Sequence, residues 1–295
     1  MNRPSKEEIL ISLYDLGIRE GDNLFIIADL MKIGYINESR EATVKDWIFI
    51  LKDLVGKEGS IILPAYNSGF FRFKKKEIIF NNKTKSYCGS LTNALINHED
   101  SFRSSHPMMS IVGFGKNIEL LIKKHNYESL SYEYIKDFLE LKNSKFLMLG
   151  TYNKTHFPQT FHYVQEKLGI TKKNILKGFL QIYYYDHKNN LKLFTRKDFG
   201  GCSRGAYKLY DYFKNDNTIK VNKIGNSQSA IIDANQSYSI ISKVLLENPK
   251  IYKCDNKDCI DCFGNPYTLG IKSVFYFLKY LPRLLKKTYE NYYIS

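Results

Sequence analysis

The sequence contains no long apolar segment. Its longest apolar stretches, such as Leu24–Ala28, have the length of a strand, whereas a membrane-spanning helix needs about 18 apolar residues. The first residues, Met1–Glu8, are polar, and no apolar segment follows them. We therefore expect neither a membrane span nor a secretory leader, and we predict a cytoplasmic protein.

Cysteine and phosphate-binding glycine motifs are also scarce. The five cysteines are odd in number and unevenly spaced, which is a poor disulfide framework and suits a reducing compartment. Neither G-x-G-x-x-G after a strand nor G-x-x-x-x-G-K-[ST] occurs, and this disfavours dinucleotide and P-loop sites. The absence of G-x-S-x-G argues against the nucleophile turn of a serine hydrolase.

The chain is basic and rich in aromatic residues. Its 44 Lys and Arg against 30 Asp and Glu give a net charge of +14, alongside 23 Tyr and 19 Phe. This balance is typical of nucleic-acid binders, of enzymes with anionic substrates and of proteins at anionic lipid surfaces. It also arises from nucleotide bias alone. Because the basic residues are dispersed and no nucleic-acid-binding motif occurs, we expect no nucleic-acid partner.

Hydrophobic periodicity in the first half alternates between helices and strands, and 43% apolar residues suffice for a sizeable core. This alternation predicts an α/β fold with a mixed central sheet covered by helices on both faces. The predicted helices are 6–16, 44–55, 90–98 with Ser90 as N-cap, 118–124 and 233–246, and the predicted strands are 24–28, 60–63, 108–114 and 145–149.

The second half has a different pattern. Strand-like segments at Gln181–Tyr185 and Leu191–Thr195 flank the turn residues His187–Asn190, which predicts a β-hairpin insertion. The composition shifts after Asn248 towards Cys, Asn, Pro and Gly. We predict one α/β domain over residues 1–250 and a basic, cysteine-containing appendage over residues 251–295.

The segment Pro158–Ile170 is the first candidate for chemistry. We predict a helix with Thr160 as N-cap, on which His162, Gln165 and Glu166 share one face. A histidine beside a carboxylate is the minimum equipment of a general base, because the carboxylate orients the imidazole and stabilises its charged form. The same spacing is also common on solvated helix faces.

Two further segments lie where α/β folds place their sites. Arg103–Pro107 is predicted to be a loop in which Arg103 offers a donor fork to phosphate or carboxylate. The alternative there is that His106 satisfies buried backbone groups while Arg103 is solvated. Gly21–Gly34 reads as a strand that ends in a loop, and such loops can present backbone N–H groups to an anion.

Taken together and in order, these segments resemble the aminoglycoside 3-N-acetyltransferase family. The sequence motif DLMKIG most resembles that of family members from cell-surface polysaccharide pathways. The matching landmarks are Leu16–Gly34, Gly59–Phe70, Arg103–Gly115 (RSSHPMMSIVGFG), Lys145–Tyr152, Thr160–Ile170 (TFHYVQEKLGI) and, more weakly, Ile224–Ala234.

The resemblance implies direct transfer of an acetyl group from acetyl-CoA to an amino group of a sugar. His162 matches the family's base, but Gln165 stands where the family usually has Glu, and Glu166 follows as a substitute. The family's His-Ser-Ser at the first strand end is here Ile27-Ala28-Asp29. An Asp at that place would repel phosphates, although the backbone N–H groups could still serve.

The resemblance also assigns contact residues and partners. The acceptor is an amino sugar, as a small molecule or as a nucleotide- or lipid-linked precursor, and antibiotic resistance is one setting for such an activity. A homodimer is left open, and the alternatives are the same fold without acetyl transfer or a basic nucleic-acid binder. The predicted contacts are Asp29, Leu30, Arg103, Ser104 and Ser110 for the cofactor and His106 and Tyr66 for the substrate, with Ser110 also a candidate oxyanion donor.

The C-terminal region lies outside this resemblance. Cys254, Cys259 and Cys262 have the spacing C-x4-C-x2-C, which a zinc or iron–sulfur site could use if Cys202 supplied a fourth ligand. We expect reduced surface thiols instead, and no metal. The tail after Gly270 mixes aromatic and basic residues, which suits either an anionic membrane surface or a helix packed on the domain.

Overall fold

A computed structural model gives the architecture. It describes residues 3–71, 78–152, 157–170, 180–196 and 202–256, together with seven separate positions: Cys259, Cys262, Phe275, Leu278, Lys279, Leu281 and Pro282. Most of the predicted tail after Gly270 lies outside the described residues. Within the described part of the chain, no helix is both long and apolar enough to cross a membrane.

The centre of the fold is a mixed seven-stranded sheet, which confirms the predicted α/β class. Its strands, in spatial order, are β10 (Ile219–Ile224), β11 (Ser227–Asp233), β7 (Ser144–Leu149), β1 (Asn23–Ala28), β2 (Ser60–Pro64), β6 (Ile111–Gly115) and β5 (Phe102–Arg103). The central strand β1 pairs in parallel with β2 and β7. The outer pairings β2–β6, β6–β5, β7–β11 and β11–β10 are antiparallel.

Helices cover both faces of this sheet because its strands are apolar on both sides. Leu24 and Ile26 point into a core built with helices α1, α3 and α4, while Phe25 points into a core built with α5 and α6. A third core joins α7, α8 and α9 to β7 and β11. The described helices are α1 (Lys6–Leu16), α2 (Leu30–Ile33), α3 (Arg40–Val55), α4 (Ser90–Asn97), α5 (Ile118–Lys124), α6 (Tyr134–Leu139), α7 (Thr160–Lys167), α8 (Tyr210–Asn215) and α9 (Ala234–Glu247).

The predicted hairpin is present and belongs to a second, smaller sheet. Strands β8 (Leu180–Tyr185) and β9 (Leu191–Thr195) pair antiparallel, and the Asp186 carboxylate closes the turn by accepting the backbone N–H groups of Lys188 and Asn190. On its other side β8 pairs with two short strands, β3 (Phe70–Phe71) and β4 (Ile79–Phe80). The insertion is thereby joined to the segment that follows β2.

Several predicted boundaries are wrong by one to three residues. Gly89, not Ser90, is the N-cap of α4, and no side chain caps that helix. Gln159 is the N-cap of α7, so Thr160 is its first helical residue. Strand β6 begins only at Ile111, because the preceding methionines form a turn.

Residues 251–256 pack against the body of the fold. The Tyr252 ring is buried with Phe161 at a centroid distance of 6.0 Å, and Tyr252 belongs to the core of α7, α8 and α9. Tyr252 lies just after the predicted boundary, and the division of the chain into two parts at residue 250 stays a prediction.

Phe25 provides a test of the packing beneath the sheet. Its buried ring stacks on Tyr134 at 5.5 Å and contacts Phe138 and Phe146. We expect Phe25→Ala to lower the free energy of unfolding by about 3–5 kcal/mol, because it leaves a cavity among these rings. Urea denaturation measures this change.

The matched control is Phe49→Ala on α3. The Phe49 side chain is 57% exposed, so its truncation should change the unfolding free energy by no more than about 0.5 kcal/mol. Equal losses in the two variants would contradict the packing described here.

Candidate active site

One edge of the central sheet collects most of the predicted site residues. Because β1, β2 and β7 are parallel, their carboxyl ends meet at this edge, and α/β folds bind ligands at such ends. Asp29, Ala65 and Gly150 follow these three strands directly, and Ser110 precedes the antiparallel strand β6 at the same edge. Chain order therefore brings together residues that lie far apart in the sequence.

The end of β1 is tightly packed against the end of β7. The Asp29 N–H donates to the Leu149 carbonyl at 2.9 Å. Gly150 has a φ of +67°, and a Cβ there would meet the Asp29 carbonyl oxygen at 2.7 Å. The Asp29 carboxylate accepts the Lys32 N–H at the start of α2 and pairs with the Lys32 ammonium at 3.3 Å. This ion pair offsets the negative charge that Asp29 brings to the strand end.

Arg103 lies in β5 and is buried, whereas the sequence predicted a loop position. Its guanidinium donates to the carbonyls of Ala65 at 2.9 Å, of Asn82 at 3.3 Å and of Thr84. Its Nε lies 3.1 Å from Ser110 Oγ, which itself donates to the Ala65 carbonyl at 2.7 Å. Burial lowers the pKa of Arg103 to about 10. Arg103 thus joins β5 to the segments after β2, and its predicted cofactor contact stays a prediction.

Ser104 and His106 support the same loop from within. Ser104 Oγ accepts the Ile111 N–H at 2.9 Å and lies 3.1 Å from His125 Nδ1. His106 Nδ1 accepts the backbone N–H groups of Met108 and Met109 at 3.3 and 2.9 Å. Since Nδ1 accepts, the neutral His106 ring carries its proton on Nε2. The Nδ1 atom of His106 therefore satisfies two buried backbone N–H groups, as the alternative from the sequence predicts.

A chain of aromatic rings connects this loop to the end of β2. His106 stacks on His125 at 4.8 Å, and His125 meets the edge of Tyr134 at 5.0 Å. The Tyr134 and Tyr66 hydroxyls are 2.9 Å apart. Burial raises the pKa of both phenols well above their usual range. Both hydroxyls are therefore protonated at any physiological pH.

His162 lies on α7 and is 8% exposed. Its Nδ1 atom is 3.0 Å from Gln165 Oε1, one helical turn away. An amide oxygen only accepts hydrogen bonds, so this contact places the imidazole proton on Nδ1 and leaves Nε2 as the basic nitrogen. The ring stacks on Tyr132 at 4.9 Å. The His162 imidazole is therefore oriented by a neutral neighbour, the Gln165 amide.

Glu166 is half-buried and interacts electrostatically with the Tyr134 phenol. Burial is the main reason for the raised pKa of Tyr134, and the Glu166 carboxylate adds to it. Arg196, which follows β9, donates from Nε to Ser131 Oγ at 3.0 Å and lies 6.0 Å above the Tyr132 ring. The surroundings of His162 thus hold an anion and a cation as well as phenols.

The structure brings some predicted residues together and adds others. His162 and Gln165 are in direct contact, and Tyr66 is hydrogen-bonded to Tyr134. Asp29 and Leu30 lie at the end of β1, on a separate part of the edge. Sequence reasoning missed Tyr132, Tyr134, His125 and Arg196. The run SYEYI, in which two tyrosines stand two residues apart at the start of a helix, is the one signal for the first two.

A groove of the described surface lies elsewhere. It is lined by Lys6, Phe49, Lys52 and Lys116, among others. Lys116 follows the end of β6, which is antiparallel to β2, so this groove borders the opposite edge of the sheet. It contains none of the predicted site residues.

Comparisons with known proteins agree with this fold. The family model for aminoglycoside 3-N-acetyltransferase matches residues 25–246. Among solved structures, the apoenzyme of aminoglycoside acetyltransferase AAC(3)-IVa has 15% identity and a TM-score of 0.73, covering 90% of this chain and 98% of its own. AAC-IIIb in a binary complex with CoASH has 17% identity and a TM-score of 0.67, covering 83% and 97%.

YokD from Bacillus subtilis is similar to the same degree. It has 17% identity and a TM-score of 0.70, covering 84% of this chain and 96% of its own. A comparison with curated protein sequences gives no match. At these identities the solved structures show the fold, while the family model supplies the family. Its match runs from β1 to α9 and includes the sheet edge and α7; the chain therefore belongs to the aminoglycoside 3-N-acetyltransferase family, whose members are CoA-dependent N-acetyltransferases.

Proposed function

We propose that this protein transfers the acetyl group of acetyl-CoA to an amino group of an amino sugar, with His162 as general base. The observation that carries this proposal is the hydrogen bond of 3.0 Å between His162 Nδ1 and Gln165 Oε1 on a buried helix. It fixes the tautomer in which Nε2 can take a proton. No covalent enzyme intermediate is needed, because an oriented amine can attack the thioester directly.

The proposed reaction proceeds through one tetrahedral intermediate. Nε2 of His162 takes a proton from the acceptor nitrogen as this nitrogen bonds to the thioester carbonyl carbon. The carbon–sulfur bond then breaks, and CoA leaves as its thiolate or takes up the proton. Gln165 keeps the ring oriented through both steps. The Tyr132 ring, which stacks on the imidazole, restricts the rotation of the His162 side chain.

For the oxyanion we propose a backbone N–H of residues 103–110 as donor. The single hydroxyl proton of Ser110 is already donated to the Ala65 carbonyl, so Ser110 holds the loop in place instead. For CoA itself we propose the backbone N–H of Leu30, because the Asp29 N–H is already bonded to the Leu149 carbonyl and Lys32 offsets the Asp29 charge.

An amino sugar fits the chemistry of the surroundings of His162. Solved relatives include a mutant of AAC(3)-IVa in complex with a gentamicin and AAC-VIa bound to sisomicin. The half-buried Glu166 carboxylate can attract a cationic amino sugar. We extend the proposal to a glycan precursor that is acetylated in the cytoplasm.

Binding of CoA can be measured independently of catalysis. A ligand present at about 100 times its Kd raises the free energy of unfolding by about 2.7 kcal/mol, so we expect CoA to raise the melting temperature by several degrees. NAD is the matched control, because the sequence has no dinucleotide motif and NAD should produce no shift. A folded protein that CoA does not stabilise would favour the same fold without acetyl transfer.

His162→Ala tests the base. We expect kcat to fall by about 10²–10⁴-fold, while the CoA-induced rise in melting temperature persists. Acetyl-CoA turnover with a panel of amino sugars measures the first quantity, and thermal unfolding the second. Retention of full activity would show that another group takes the proton.

Gln165→Glu tests what the neutral neighbour of His162 does. A carboxylate favours the charged imidazolium, so we expect a higher kcat and an acidic limb of the pH–rate profile that moves to higher pH. The sign follows because a base works only when unprotonated, and a carboxylate holds the proton to higher pH. Glu166→Gln is the companion variant, and an identical pH shift in both variants would contradict a specific role for position 165.

A further inference from the structure

Four of the five cysteines meet at one buried place. Cys202 precedes a short helix at Ala206–Leu209, whereas Cys254, Cys259 and Cys262 follow α9. All four side chains are buried and none forms a disulfide. The expectation of surface thiols is therefore wrong in its placement of these residues.

The sulfur positions fit a tetrahedron around one ion. All four Sγ atoms lie within 4.8 Å of one another, and those of Cys254 and Cys262 are 3.6 Å apart. Zinc–sulfur bonds of about 2.3 Å in a tetrahedron place the sulfurs about 3.8 Å apart. A disulfide needs about 2.05 Å. The observed spacing thus matches metal ligands and is too long for bonded sulfurs.

Backbone groups orient the sulfurs as they do around bound metals. The Arg204 N–H donates to Cys202 Sγ at 3.4 Å, and the Cys254 N–H donates to Cys262 Sγ at 3.4 Å. A turn closed by the Cys262 N–H and the Cys259 carbonyl at 3.2 Å places the last two thiols side by side. Such N–H donors stabilise thiolates and fix ligand orientation.

The burial of the four thiols also favours a cation at this place. A divalent ion binds thiolates directly and neutralises their charge, so that four sulfurs can share one buried position.

We propose that Cys202, Cys254, Cys259 and Cys262 bind one structural Zn²⁺ ion. Four protein thiolates complete a tetrahedral coordination shell and leave no open position, which is typical of structural rather than catalytic zinc. Iron is the other metal that tetrahedral thiolates accept, and it is an outcome of the test. The site is separate from His162 and holds whether or not the proposed reaction is correct.

The ion would fasten the segment after α9 to the segment before α8. The two segments already lie close together, because a Cβ on Gly205 would clash with the Tyr252 carbonyl. Lys208 pairs with Asp255 at 2.9 Å. Tyr252, two residues before the first clustered cysteine of this segment, packs on Phe161 beside His162. The proposed zinc site thus lies in the segment whose Tyr252 packs on α7.

Metal analysis of the purified protein tests the proposal. We expect about one zinc per chain in the wild type and in Cys88→Ser, whose cysteine lies outside the cluster. Cys259→Ser should lose most of the zinc and lower the melting temperature. One iron per chain in place of zinc would overturn the choice of metal. Wild-type protein without metal that also fails to take up Zn²⁺ under reducing conditions would overturn the site.

Cobalt substitution keeps the proposal testable if Cys259→Ser does not fold. Wild-type protein loaded with Co²⁺ should show the sulfur-to-cobalt charge-transfer bands and the intense d–d bands of tetrahedral thiolate coordination, and Cys88→Ser should show the same spectrum. Added Zn²⁺ should abolish these bands. A weak spectrum typical of six oxygen or nitrogen ligands would contradict coordination by the four thiols.

Discussion

The parallel pairing of β1 with both β2 and β7 is the constraint on which the rest of this structure depends. It buries an apolar strand on both faces, so helices must cover the sheet from both sides. It also brings three strand ends to one edge, where Asp29, Tyr66 and Gly150 lie close to the residues before β6. Because α/β sheets generally bind ligands at such strand ends, the topology is the first reason to propose the site at this edge.

His162 is the base of the proposed reaction, and its surroundings set how strong a base it can be. A buried imidazole gains its orientation from Gln165 and its packing from Tyr132. Gln165 does not compensate the charge of a protonated His162, because an amide cannot stabilise an imidazolium as a carboxylate does. Glu166 and Arg196 place opposite charges near the same rings. In the proposed reaction, the balance among these groups, rather than the histidine alone, sets the rate of proton transfer.

The sequence predicted what local pattern controls and missed what long-range contacts control. Helix α1 and the β8–β9 hairpin were predicted closely, because periodicity and turn residues specify them. The positions of Tyr134 beside Tyr66, and of Cys202 beside Cys254, depend on chain segments about 50 or more residues apart. Arg103 illustrates the limit: its residue type suggested anion binding, whereas its buried hydrogen bonds join backbone segments.

We propose that His162 takes the proton from an acceptor amine beside bound CoA. A crystal structure of the protein with CoA and an amino sugar tests this role most directly, through the distance from His162 Nε2 to the acceptor nitrogen. We expect a hydrogen-bonding distance of about 2.6–3.2 Å, or one bridging water, with the CoA sulfur on the other side of that nitrogen. An acceptor amine bound beyond reach of His162 would contradict it.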